Sequence, residues 1–370
     1  MNKRYALAVD CRLAASTGIG RYVREIVPHL ADRFGASRLL LIGRTGGLAW
    51  AAPWIGAGAA IIDSDAALFR REEQRLYAEV GRNCDLLWLP HFNVPLRRVG
   101  RLAVTVHDLI PLHVAVGWKG WVRRWGARVY LRAVRRHADL VLTVSNRVAG
   151  ELRQELGVEE ERIRAIHNGV EARWFEQARQ RMMEGRYIIY VGNISPHKNV
   201  EALFTAFMAL QDKVSHALVV VGEERGFTSR GIMRIWSKKL GRRLRHVSRV
   251  SEEDLRAWVA GADLLVQPSR EEGFGLPPLE AMAAGCPVLT SDCAALLETA
   301  AEGAHRFRLG VEGDCESVLG RLLTDDTLRR SKVLEGCRWA RKFSWESTGK
   351  QVAQELYALW ERNREVGGKG

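Results

Sequence analysis

Glu271-Glu272-Gly273-Phe274-Gly275-Leu276-Pro277-Pro278-Leu279-Glu280-Ala281-Met282 follows, after Arg270, the apolar run Leu264-Leu265-Val266-Gln267 with Pro268-Ser269. The run is a buried strand that stops at Pro268. Gly273 and Gly275 carry no Cβ, so the backbone there can approach a ligand closely. Pro277 and Pro278 suit the first turn of a helix, where amides lack intrahelical partners. A helix N-terminus at the carboxyl end of a strand is where α/β proteins hold phosphate-bearing ligands. The amides of Phe274, Gly275 and Leu276 supply donors, and Glu272 and Glu280 supply acceptors for a hydroxyl-rich part of the same ligand.

Working outward, short apolar runs alternate with helix-length segments, the pattern of parallel βα units. Strands are expected at Tyr5–Val9, Arg38–Ile42, Leu86–Leu89, Ala103–Val106 and Leu140–Val144. A second series follows at Tyr187–Val191, Ala217–Val221, Arg245–Val247, Leu264–Gln267 and Pro287–Thr290. Helices between the first strands cover Gly20–Phe34, Leu68–Gly81 and Lys119–His137. Polar residues Glu171–Arg186 read as a linker. Val352, Leu356, Leu359 and Trp360 recur at helical spacing in a terminal helix. These segments predict an α/β protein with two Rossmann-like, doubly wound domains facing each other across a cleft: 1–172, 173–345, and a helix and tail at 346–370 that returns toward the N-terminal domain.

The 370 residues are 47% hydrophobic, enough for two cores. No uncharged apolar run reaches the roughly 18 residues a membrane span needs, and the N-terminus reads as a first strand rather than a signal peptide. Six scattered cysteines without metal-type spacing suit reduced thiols in the cytoplasm. The formal charge of +13 calls for an anionic partner. Ten Lys/Arg and one acid, Asp108, lie between Arg97 and Arg136.

Three further segments carry chemistry. Tyr190-Val191-Gly192-Asn193-Ile194-Ser195-Pro196-His197-Lys198-Asn199 puts a lysine where a strand gives way to a helix, a place to meet phosphate charge. Gly18-Ile19-Gly20-Arg21-Tyr22 makes a glycine loop after the first strand. Thr105-Val106-His107-Asp108 puts a His-Asp pair at a strand end, fit for acid–base work or for hydrogen bonding to a hydroxyl.

Together these segments resemble retaining glycosyltransferases of the GT-B fold, family 4 type. Glu272 and Glu280 match that family's Glu-x7-Glu, and the text from Pro268-Ser269 to Gly285-Cys286-Pro287-Val288 follows it nearly residue by residue. The resemblance, which also takes in Val144-Ser145 and Asn168-Gly169-Val170, spans nearly the whole chain. It implies a nucleotide diphosphate sugar as donor substrate and no cofactor or metal. Glu272 would meet the donor hexose hydroxyls, Glu280 the ribose hydroxyls, and Lys198 the diphosphate. Gly18 and Gly20 would lie by the leaving group and His107 by the donor sugar, with no general-base role given to it. Asn193 stands where some members have a second diphosphate-binding Arg, and His197 replaces the usual Arg before Lys198. Pro90-His91-Phe92-Asn93 resembles members that use GDP-mannose in surface polysaccharide or lipopolysaccharide synthesis.

Trp118, Trp121 and Trp125, with Arg124, Arg128 and Arg132, suit contact with an anionic membrane and a lipid-linked acceptor, at the inner face of the plasma membrane. Other readings are a UDP- or dTDP-sugar transferase, a sugar-nucleotide epimerase of the same fold, and, from basic charge with interleaved tryptophans, a nucleic-acid-binding protein.

Overall fold

The computed structural model describes residues 5–16, 18–114, 117–176, 180–224 and 231–367, with the side chains at 117, 119 and 363–367 outside that description. The chain divides into two compact units, one of residues 1–169 with 345–370 and one of residues 170–344.

The first unit holds seven strands: β1 (Tyr5–Asp10), β2 (Leu39–Gly43), β3 (Ala60–Asp63), β4 (Cys84–Leu89), β5 (Arg101–Val106), β6 (Leu140–Thr143) and β7 (Ile163–Ala165). All pair in parallel, in the order β3-β2-β1-β4-β5-β6-β7. Leu7, Val9, Leu41, Leu86 and Val104 are buried because helices cover both faces of such a sheet. Asp10, one residue past the strand expected at Tyr5–Val9, is the last residue of β1 and is buried.

The second unit holds β8 (Tyr187–Val191), β9 (Ala217–Val221), β10 (Leu244–Val247), β11 (Leu264–Gln267), β12 (Val288–Ser291) and β13 (His305–Phe307), in the parallel order β10-β9-β8-β11-β12-β13. Counted within each unit, the first six strands follow one order, 3-2-1-4-5-6. The two halves therefore repeat a topology with no repeat in sequence. In such sheets ligands bind beyond the carboxyl ends of the strands, where the order reverses. Here that means the exits of β1 and β4 in one unit, and of β8 and β11 in the other.

The last helix, Trp345–Gly367, belongs to the first unit. Val352, Leu356, Leu359 and Trp360 are buried, as their spacing requires. The helix lies along Gly18–Phe34, with Phe34 against Tyr357 and Trp360 at ring distances of 5.2 and 5.7 Å. Trp360 Nε1 donates to Asp85 at 3.0 Å, and Thr348 Oγ1 to the His167 carbonyl at 2.7 Å.

Candidate active site

At the strand reversal of the second unit, two exit loops are tied together. Past β8, Pro196–Lys198 forms one 3-10 turn and Asn199 takes a left-handed conformation with φ 53°. Asn199 Nδ2 donates to the Pro268 carbonyl at 3.1 Å, and the Arg270 amide to the His197 carbonyl at 2.8 Å. These bonds bring the end of β8 onto the end of β11. Lys198 Nζ then lies 2.7 and 2.6 Å from the two carboxylate oxygens of Glu272.

Glu272 is 5% exposed, so its charge needs support. Gln267 Nε2 and Ser269 Oγ donate to Oε1 at 2.9 and 2.8 Å. Burial pushes its pKa up, but the Lys198 charge and the hydrogen bonds from Lys198, Ser269 and Gln267 outweigh burial and leave it below the ordinary carboxylate value. Burial, then the neighbouring Lys198, holds His197 down to about 4 against the opposing pull of Glu272. At neutral pH this Lys198–Glu272–His197 group carries one cation, one anion and a neutral imidazole.

The loop after Glu272 is fixed from behind. Phe274 is buried, its carbonyl accepts from Thr299 Oγ1 at 2.7 Å, and its ring stands edge-on to Phe343 at 6.0 Å. Gly275 has φ 99°, and a Cβ there would lie 2.6 Å from Leu296 Cδ2, so both backbone and packing require glycine. The helix Leu276–Ala283 starts at the next residue, with Pro277 and Pro278 in its first turn. Glu280 is buried in the same helix, one turn beyond Leu276 and on its side. Asn193 is half-buried in the bend after β8, its carbonyl accepting from Tyr190 OH at 2.9 Å. Thus Asn193, Lys198, Glu272, Phe274, Gly275, Leu276 and Glu280 all fall in the second unit, on the loops and helix leaving β8 and β11.

Gly18, Gly20 and His107 fall in the first unit. The helix begins at Gly18, two residues earlier than expected. The Gly20 amide donates to Ser16 Oγ at 3.0 Å, and a Cβ on Gly20 would lie 2.5 Å from the Ala14 carbonyl. Close approach of its own loop therefore accounts for Gly20. At Gly18 the position is open. His107 follows β5 with Nε2 2.9 Å from the Pro90 carbonyl and its ring edge-on to Tyr22 at 4.9 Å. Burial, then His91, lowers its pKa to about 4, against the pull of the Pro90 carbonyl. A neutral ring that donates from Nε2 leaves Nδ1 as an acceptor.

Sequence reading missed a second buried constellation, at the strand reversal of the first unit. Arg12 donates to both oxygens of Asp10 at 2.9 and 2.6 Å, and to Glu73 Oε1 at 2.8 Å. Tyr77 OH meets Asp10 at 2.9 Å, and Asn93 Nδ2 reaches Glu73 at 2.7 Å. His91 Nδ1 lies 2.9 Å from Asn93 Oδ1. Only the strand-end Asp10 and the segment His91-Phe92-Asn93 signalled it. A cavity of about 320 Å³ opens beside Arg12, between the exits of β1, β2 and β3, lined by Leu48, Ser64 and Leu68.

One Asp-x-Asp segment, Asp63-Ser64-Asp65, is present at the exit of β3. Asp63 accepts from the Thr45 amide at 2.8 Å and Asp65 pairs with Arg44 at 2.9 Å. Among the described residues, the group with metal-ligand spacing is His113, Glu151 and Glu155, apart from both strand reversals. His113 and Glu155 lie 2.9 Å apart, and Glu151 pairs with Arg147 at 2.6 Å.

Two family models match consecutive parts of the chain: Glycosyltransferase Family 4 over residues 16–174, and Glycosyl transferases group 1 over residues 173–328. The MMP alpha-(1->4)-mannosyltransferase of Mycolicibacterium hassiacum is 30% identical over 285 residues, 75% of this chain and 67% of that protein. The O-antigen chain mannosyltransferase RfbU of Salmonella typhimurium is 29% identical over 222 residues, 60% of this chain and 60% of that protein's length. Among solved structures, Anabaena Alr3699/HepE in complex with UDP and glucose superposes with a TM-score of 0.74 at 16% identity, covering 96% of this chain and 100% of that one. At that identity the superposition speaks for the fold alone.

Proposed function

The chain belongs to glycosyltransferase family 4, with the GT-B fold, and from that footing we propose that it transfers a hexose from a nucleotide diphosphate sugar to a glycan or lipid-linked acceptor. Mannose from GDP-mannose is the preferred donor, in keeping with the named activities of the two relatives. The product belongs to surface polysaccharide or lipopolysaccharide synthesis, at the cytoplasmic face of the membrane. The observation that carries the reading is the Lys198–Glu272 pair beside the helix N-terminus at Leu276.

In this reading the diphosphate lies between the Lys198 ammonium and the amides of Gly275 and Leu276, which oppose the charge that grows as the glycosidic bond breaks. Glu272, kept ionised by Lys198, Ser269 and Gln267, accepts from hexose hydroxyls, and Glu280 from the ribose. His107 Nδ1 accepts a hydrogen bond from a sugar hydroxyl. No protein nucleophile is required if the acceptor enters on the face the diphosphate leaves and gives its proton to that diphosphate. The anomeric configuration is then retained, with no metal ion in the step.

The test is donor screening followed by transfer kinetics. At 100 times its dissociation constant the true donor stabilises the fold by about 2.7 kcal/mol. Glu272→Gln should keep GDP-mannose binding and lose on the order of a hundredfold in kcat. Wild-type rates in Glu272→Gln, or an epimerised sugar nucleotide formed without acceptor, would overturn the assignment.

A further inference from the structure

Helix Gly117–His137 has two opposed faces, and the outer one is not explained by the fold. On the inner side Ala127, Leu131 and Val134 are buried in the core of the first unit. On the outer side Trp118, Trp121, Val122 and Trp125 are 72, 62, 58 and 70% exposed. Positions i, i+3, i+4 and i+7 make one stripe, about 10 Å long at helical rise. Further along the same side come Arg128, Arg132, Arg135 and Arg136, all exposed. Cations in the last turn complement the helix dipole, which accounts for Arg135 and Arg136. Arg124 lies over the Trp121 ring at 5.5 Å, but the helix dipole does not reach Arg128 or Arg132, and the helix's own sequence contains no acid.

We propose that this face rests on an anionic lipid bilayer, with the three indoles and Val122 at the boundary of headgroups and acyl chains and the arginines on lipid phosphates. The composition of the face decides the occupant. Three indoles and Val122 form one exposed apolar stripe, with Arg124, Arg128 and Arg132 along its edge and beyond its end, the pairing of apolar and cationic groups that an anionic lipid interface takes. Single-stranded nucleic acid would stack its bases on successive rings, and Val122, which shares the stripe with the indoles, has no ring to offer. A second copy of a chain of net charge +13 would set arginine stripe near arginine stripe. Among the described residues no helix is long and apolar enough to cross a membrane, so the helix lies on the surface. The inference rests on the proposed lipid-linked acceptor only for its purpose. Its test uses no sugar nucleotide, so it stands or falls apart from the transferase reading.

The full chain is floated with phosphatidylcholine vesicles, with and without phosphatidylglycerol, in low and high salt. It should float with the anionic vesicles in low salt and be released by high salt. Arg128→Gln with Arg132→Gln should weaken binding about fivefold per charge. Trp121→Ala with Trp125→Ala should weaken it at least tenfold and reduce tryptophan quenching by brominated lipid. Both variants should keep the wild-type Tm, since all four positions are exposed, and Trp125→Gln alone replaces the double variant if it does not. No flotation of the wild type, or flotation that both variants retain in full, overturns the proposal. So does displacement of vesicles by an oligonucleotide, or a dimer in sedimentation that Trp125→Gln abolishes.

Discussion

The two sheets reverse strand order at equivalent places, and each puts a buried carboxylate against a cation there, but the two clusters are built oppositely. At the exits of β1 and β4, Arg12 spends its donors on Asp10, Glu73 and the Ala66 carbonyl, and Tyr77 and Asn93 close the ring around them. Glu73 is fully buried, and burial pushes its carboxyl above the usual value despite Asn93 and Arg12. At the exits of β8 and β11 the cation sits on a single 3-10 turn with its side chain 19% exposed, next to glycines and a helix N-terminus. The first cluster is satisfied from within and holds loops in place. The second leaves its cation partly open to solvent beside a helix N-terminus, the setting the proposed donor site requires. A shared topology thus fixes where a cluster forms, and local backbone decides what the cluster does.

The sharpest test of that contrast is Arg12→Ala. Removing one partner of a buried ion pair costs about 3–5 kcal/mol, which native-state hydrogen exchange should register in β1 and β4. Equal loss of protection in β8 and β11 would break the distinction between the two clusters. Lys198→Met should instead show mainly in ligand binding, with donor affinity falling about a hundredfold in titration calorimetry, a loss of about 2.7 kcal/mol. A collapse of stability with unchanged affinity would make Lys198 structural, like Arg12.

The smallest effect should be common to both regions. His107 and His197 are each held near 4 in the fold, against about 6.5 unfolded. Between those values the unfolded chain binds more protons, so stability is full above about pH 6.5 and declines as pH falls toward 4. By about pH 5 the expected loss is about 2 kcal/mol for each histidine, read as a falling midpoint in urea. His107→Asn and His197→Asn should each flatten part of that decline, and a flat profile in the wild type would refute both.

What the sequence made legible follows the range of the interactions. Glu272, Gly275, Leu276 and Glu280 lie within nine residues of one another, and their local chemistry shows in the text. The contact of Lys198 with Glu272 spans 74 residues, and only the family resemblance put the two in one expected site. The contacts of Arg12 with Tyr77 and Glu73 span 65 and 61 residues with no motif to mark them. The strands missed by periodicity, β3, β7 and β13, are all edge strands of three or four residues, and two of them have no buried residue. An edge strand is covered on fewer sides, so burial imposes little apolar pattern on it. Gly20 carries a second cause that its motif did not show. The motif suggested a ligand, and the carbonyl of Ala14 independently requires glycine there.

The last helix also sets an order on biosynthesis. Phe34 and its neighbours on Gly18–Phe34 are covered by Trp345–Gly367, so a ribosome must make the whole second unit before the first can cover that face. With elongation at roughly 5–20 residues per second, the 175 residues between hold the first unit open for about 9–35 seconds. The unit that starts first is therefore finished last.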